Sequence, residues 1–339
     1  MVGLPPTEPR FHFWFNCLQI PPRSCTGVLD NCPVISIIHR KAMEAGLLAT
    51  TSTRRQFRHE RPAYARTKKM SLQRKGFFIG VIVSLLLCVV LLGASHKRES
   101  EKARNELNRL KIKYDERSFL GAALDGNTPV VALFLKAGMN PNTRDVHGAT
   151  PLLVTAAGGR SETAELLLAN GADIHAKDNR GWTPLIFAVF NGDLDLVKVM
   201  FNHGADVSAR GQGGYTPLMV AAVRYRTQVT QFLLDRGADI KAKDDKGLTP
   251  LVLAAEVGAT DVARLLLDKG ADVNTKGKGG VTALMRAADK GQVSAAKLLL
   301  ERGADIDAKD DTGRTALMQA TASGRTEIVA LLKTAGAKN

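Results

Sequence analysis

Glycine recurs at positions 148, 181, 214, 247, 280 and 313, each followed after one residue by Thr-Pro-Leu or Thr-Ala-Leu, and every interval is 33 residues. A second set, the glycine of Gly-Ala-Asp, falls at 171, 204, 237, 270 and 303 and returns at Gly336-Ala337. A third occupies 126, 159, 192, 258, 291 and 324, with Tyr225 standing where its period demands glycine. Three registers of one period leave little choice of architecture. Each copy is a supersecondary unit too small to bury its own apolar face, so copies must stack.

One unit can be built from its residues. The Thr hydroxyl is suited to cap free N–H groups at a helix start, and the Pro beside it tolerates the first turn. About nine residues later a glycine ends that helix, because positive φ is cheap there. A second helix follows with an apolar run, Leu166-Leu167-Leu168 in one unit and Leu298-Leu299-Leu300 in another. The Gly-Ala-Asp glycine ends it, and a stretch such as ADIHAKDNRG forms a hairpin leading to the next unit.

This order of residues, D-x-x-G-x-T-P-L-H-x-A-A-x-x-G followed by L-L-L-x-x-G-A-D-V-N-A, resembles the ankyrin-repeat family over residues 117–339. The resemblance implies an all-α solenoid of helix-turn-helix units with β-hairpin fingers, and protein binding through a concave groove without cofactor or metal. Residues 118–145 read as a degenerate first unit, and six fuller units follow. Lys333 replaces the third Leu of the last apolar run, as a terminal cap with a polar outer face requires. The family's His after T-P-L is replaced by Leu153, Ile186, Met219, Val252, Met285 and Met318, which substitutes apolar packing for its hydrogen bonds.

The front of the chain differs. Of the net charge of +14, residues 1–75 carry +9, with 13 Lys/Arg against 4 Asp/Glu. Residues 1–69 show no sustained period and read as a disordered tail or as sequence upstream of the true start, Met70 opening a short basic stretch like an amino terminus. The run 76–94, GFFIGVIVSLLLCVVLLGA, is free of charge for 19 residues. At about 1.5 Å per residue it matches the bilayer core, so residues 70–95 are expected to form a single-pass signal anchor. A cleaved signal peptide stays open, since Gly93 and Ser95 have cleavage-like spacing. Lys and Arg near the two ends are nearly balanced, and the short basic stub favours export of the repeats. Residues 96–117 read as a charged helical spacer whose stripe of Ala103, Leu107, Leu110 and Tyr114 is too short for a coiled coil, which leaves a monomer.

Catalytic chemistry finds no foothold in the pattern. Asp173, Asp206, Asp239, Asp272 and Asp305 recur at 33 residues, and a residue demanded in every copy is structural first. His147, His175 and His203 lack metal-ligand spacing. Two features bear on binding. A basic ladder of Arg144, Lys177, Arg210, Lys243, Lys276 and Lys309 places one cation on each finger, mostly beside an Asp. Nucleic acid is a poor match for so mild a charge. The second feature is local: Trp182, Phe190, Tyr215, Arg224 and Tyr225 fall at finger or inter-helix positions that face the groove in the family. Aromatics and Arg dominate interface hot spots. The expected function is therefore that of a membrane-tethered, non-enzymatic protein-binding stack. The alternative is a cleaved, soluble exported protein that supports an enzyme.

Overall fold

The structure, a computed structural model, describes residues 64–338, with side chains from Ser84 onward apart from Leu85. The chain divides into two units, residues 1–81 and 82–339. The expected tail lies outside the described residues as far as residue 63. Helix α1, Tyr64–Arg109, is followed by seven helix pairs. These are α2/α3 (Glu116–Asp125, Thr128–Lys136), α4/α5 (Pro151–Ala157, Ser161–Ala169), α6/α7 (Pro184–Asn191, Leu194–Asn202) and α8/α9 (Pro217–Val223, Thr227–Asp235). Then come α10/α11 (Pro250–Val257, Thr260–Asp268), α12/α13 (Ala283–Lys290, Val293–Glu301) and α14/α15 (Ala316–Ala322, Thr326–Thr334). No helix among the described residues is long and apolar enough to cross a membrane. The expected span over 76–94 lies in part outside the described side chains.

Capping explains why so many short helices persist. Thr183 accepts from the Ile186 N–H at 3.3 Å and Thr249 from the Val252 N–H at 3.4 Å, and the same bond opens each first helix from α4 to α14. Each such cap stabilises a helix by about 1 kcal/mol. The first helices stack through Leu152, Leu185, Leu218, Leu251, Leu284 and Leu317, all buried, while Ala156, Ala188, Ala222, Ala255 and Ala288 let their backbones approach. Burial of each Leu is favourable by roughly 1.5–3 kcal/mol. Ile186, Met219, Val252 and Met285 are buried beside them, as apolar replacement of the family His implies, but Met318 in the last unit is 44% exposed.

The fingers are hairpins without strands: no β-strand occurs among the described residues. One backbone bond closes each, such as Asp178 N–H to Trp182 O at 3.1 Å. The opening Asp takes two further donors, Asp178 Oδ1 accepting from Arg180 N–H at 2.9 Å and Trp182 N–H at 2.8 Å. A ladder cannot extend when a side chain has claimed its N–H groups. In the two fingers that open with glycine, a 3₁₀ turn replaces the Asp: Gln212–Gly214 and Lys278–Gly280.

The spacer stripe is used inside the chain. Ala103 and Leu107 are buried in the core that contains Phe119 and Phe134, and Leu110 is left 47% exposed. Ser100 Oγ, the Arg104 guanidinium and Tyr114 OH all donate to the carbonyl of Ala137, at 2.9, 3.3 and 3.1 Å, closing the end of α3. Tyr114 also stacks on Phe134 at 5.9 Å with Arg104 over its ring at 4.5 Å. The end of α1 is thereby the cap of the stack.

Candidate functional site

Helix α6 and the finger before it hold three rings together. Trp182 lies 5.2 Å from Phe187 and 5.7 Å from Phe190, both tilted. Two guanidiniums flank them: Arg180 sits 5.2 Å from the Trp182 ring and 5.8 Å from Phe187, and Arg224 sits 4.2 Å from Phe190. All three rings are half-buried and both arginines are exposed.

Each member is positioned by a distinct device. Arg180 is held by its own finger, where its Nε donates to Asp178 Oδ2 at 3.1 Å. Trp182 gains its place from Gly211 in the next finger, where a Cβ would stand 2.9 Å from Trp182 Cδ1. Four of the six full fingers open with Asp at that position, and here the glycine leaves room for the indole. The end of α6 that carries Phe190 is braced by Arg226, whose Nη2 donates to the Phe190 carbonyl at 3.3 Å.

Beside this stack lies a cavity of about 470 Å³. Its floor is Leu153, Val154 and Ala157 from α4, and Phe187 and Arg180 form one wall. It exists because small residues occupy the groove positions of the 145–177 unit while large ones occupy those of the next. Asp145 and Asp178 also line it. Asp145 turns Oδ1 to the N–H groups of His147 and Ala149, at 2.9 and 2.8 Å.

A family model described as "Ankyrin repeats (3 copies)" matches residues 119–211, 209–277 and 276–339. The chain belongs to the ankyrin-repeat family. No curated protein matches it. Ankyrin repeats are generally protein–protein interaction modules, which makes a side-chain cluster open to solvent on the finger side of the stack the part of this one to examine.

The five residues singled out from sequence do not form one patch. Trp182, Phe190 and Arg224 come together as described. Tyr215 is half-buried on the next finger and, among the described residues, shares no ring contact with the cluster. Burial raises its phenol pKa, and the carboxylates of Asp244 and Glu256 add to the rise. Tyr225 is 57% exposed in the turn between α8 and α9, at a φ of +60°, and its hydroxyl donates to the carbonyl of Val257 in the following ankyrin unit. It links units. Arg180 and Phe187 were missed, although the cation directly before Gly181 was in plain view.

The basic ladder has a structural role in this ankyrin stack. Arg144 Nη1 donates to Lys177 O at 2.8 Å and Arg210 Nη1 to Lys243 O at 2.8 Å. Lys243 Nζ reaches Lys276 O at 3.2 Å and Lys276 Nζ reaches Lys309 O at 3.1 Å. Four of the six cations thus stitch their finger to the next. Among the described residues, no group of three His, Cys, Asp or Glu side chains could hold a metal ion.

Proposed function

We propose that the protein is a membrane-tethered, non-catalytic ankyrin module that binds a protein partner through the face built by the fingers 145–149 and 178–182 with helices α4 and α6. The observation that carries this reading is the Arg180–Trp182–Phe187–Phe190–Arg224 stack beside an apolar cavity. Rigid aromatics braced by guanidiniums are the residues on which interface energy concentrates. A photo-crosslinking amino acid placed at position 182 of the full chain in native membranes should yield a discrete adduct, and the same group at 281 should not. Equal adducts from both positions would sink the reading.

The tether is supported by the uncharged run 76–94 and by the exposure of its described part, where Leu86, Leu87, Val89, Val90, Leu91 and Leu92 are each 59–70% open. Six large apolar side chains exposed around one helix need a non-aqueous cover, and a bilayer supplies it. The full chain should stay with membranes through alkaline carbonate extraction. Mature protein starting at His96 in the native host would instead favour the cleaved, soluble form. Export of the repeats is part of the same proposal, and a reporter fused after Asn339 that works only in the cytoplasm would reverse it.

A further inference from the structure

We propose that the segment bound by this groove is an acidic, apolar peptide: an aliphatic side chain fills the cavity floored by Leu153, Val154 and Ala157, one carboxylate sits on Arg180 at its rim, and a second sits on Arg224. The inference rests on the groove reading above and adds the chemistry of what the groove takes.

The argument begins with the hydrogen-bonding state of the two guanidiniums. Arg180 spends its Nε on Asp178, and its terminal nitrogens make no hydrogen bond among the described residues. Arg224 makes neither a hydrogen bond nor an ion pair among them, and only its face is engaged, by Phe190. Arg144, Arg210 and Arg226 donate to backbone carbonyls, and Arg314 donates its Nε to Asp310 and Thr312 with no ring beneath it among the described residues. Arg236 is also stacked with its edge unbonded among the described residues, but it lies over Phe201 and Phe232 of the second helices α7 and α9 and does not line the cavity. A guanidinium stacked by its face keeps its planar N–H edge free, and that edge fits a carboxylate with two parallel bonds. Stacking also fixes the plane beforehand, so less rotamer freedom is lost on binding.

The spacing of the two charges follows from the rings between them. Links of 5.2 Å from Arg180 to Trp182, 5.7 Å from Trp182 to Phe190 and 4.2 Å from Phe190 to Arg224 limit the guanidiniums to about 15 Å apart. An extended chain covers about 3.3–3.6 Å per residue, so the two acids belong within about five residues of each other. The apolar side chain lies on the far side of the Arg180 contact, because the cavity adjoins Arg180 and Phe187 but not Arg224. Asp145 and Asp178 put negative charge at the cavity itself, which suits an uncharged residue there and displaces the partner's acids towards the rim. A nucleic acid would meet the same guanidiniums but leave the aliphatic floor unfilled.

Selection from a phage-displayed random dodecapeptide library on the full chain in detergent micelles tests this. Survivors should carry two Asp or Glu within about five residues, with Leu, Ile, Val or Met on one side. A fluorescent copy of a survivor should bind Arg224→Gln at least about tenfold more weakly, the scale of one lost charge-assisted bond. Arg224→Lys should recover only part of the loss, since a point charge replaces a fork. Arg314→Gln should bind like the wild type. Survivors rich in Lys and Arg, survivors with no acidic excess, undiminished binding to Arg224→Gln, or no survivor at all would each overturn the inference. Survivors without acids that still depend on Trp182 sink the inference and leave the groove standing. Survivors indifferent to both Trp182→Ala and Arg224→Gln sink the groove reading as well.

Discussion

The fingers 178–182 and 310–314 begin with the same device and end in different chemistry. Each opens with an Asp whose Oδ1 accepts two backbone N–H groups and whose Oδ2 takes an Arg Nε, at 3.1 Å for Arg180 and 3.2 Å for Arg314. In the second, the surroundings are polar. Arg314 Nε also donates to Thr312 Oγ1 at 2.9 Å, and Gln319 adds a bond to the same carboxylate at 3.1 Å. In the first, the guanidinium is laid over Trp182 and Phe187. One backbone motif thus supports a closed polar knot at the end of the stack and a presented aromatic surface near its middle. The proposed function rests on side chains that the repeat does not prescribe.

The largest expected difference between the two units lies in their cores. Ile186 is wholly buried, whereas Met318 in the equivalent place of the last described unit is 44% exposed. Ile186→Ala should cost about 2–4 kcal/mol and Met318→Ala less than about 1. Denaturant midpoints with unchanged slopes decide the matter. Equal losses would mean that the last unit is covered by something outside the stack.

Next comes binding. Trp182→Ala should weaken capture of the protein crosslinked at position 182 by more than about 2 kcal/mol, while Arg314→Ala leaves it unchanged. Trp182 also packs on Phe187 and fills the space over Gly211, so this variant should lose stability too. Arg224→Ala separates the two effects, because its side chain is exposed and, among the described residues, makes no hydrogen bond or ion pair, touching only Phe190 with its face. Binding should fall with the melting temperature intact. If Arg224→Ala is silent while Trp182→Ala fails in both assays, the aromatics are packing residues only.

Much of this architecture was legible in the residues. The glycine registers, broken only at Tyr225, and the Thr caps and Leu core of the six full units recur at 33 residues, so the spacing alone reveals them. The site was legible only in part. Trp182, Phe190 and Arg224 stand out because they break the repeat, but Tyr215 breaks it equally and lies apart. Nothing in a linear spacing says that Gly211 would admit the indole towards its own helix while the Tyr215 ring stays beside Gly213 of its own finger. The basic ladder misled in the opposite sense. Its period suggested a charged face, yet four of its six cations bond the carbonyl 33 residues further on, as Arg144 does with Lys177. The spacer stripe is too short for a coiled coil, and its Ala103 and Leu107 pack within the chain, against the core of Phe119 and Phe134.

A smaller effect is expected at the inter-helix glycines of the same two units. Gly192 and Gly324 both have positive φ, +77° and +67°. At Gly324 an added Cβ meets nothing within 4 Å, so Gly324→Ala carries only the backbone cost, roughly 1 kcal/mol. At Gly192 it would come 2.6 Å from Arg226 Cδ. Arg226 must then move from the Phe190 carbonyl, and Gly192→Ala should cost about 1 kcal/mol more. Chemical denaturation of the two variants gives the comparison, which fails if Gly324→Ala is the worse.

The smallest effect is one of pH, and it belongs to the polar finger. Donation from the Thr312 hydroxyl, aided by the N–H groups of Arg314 and Thr312 and by the Arg314 charge, lowers the Asp310 carboxyl from 3.8 to about 2 against the opposing effect of burial. A carboxyl depressed on folding binds its proton more readily in the unfolded chain, so it contributes stability above the unfolded value. That contribution fades as pH falls from about 4 towards 2. Asp310→Asn retains an acceptor for the backbone N–H groups but discards the charge. Its melting temperature should therefore lie a few degrees below that of the wild type near neutral pH, and the gap should close as the solution is acidified through that window. Asp115, the cap of α2, is likewise lowered to about 2, by the Ser118 N–H and hydroxyl first and then by Lys113, so Asp115→Asn should show the same convergence at the other end of the stack. A gap that stays constant with pH at position 310 would mean that the finger depends on the shape of the side chain there and not on its charge. The Asp–Arg pair would then be as incidental to stability in the polar finger as most surface ion pairs are.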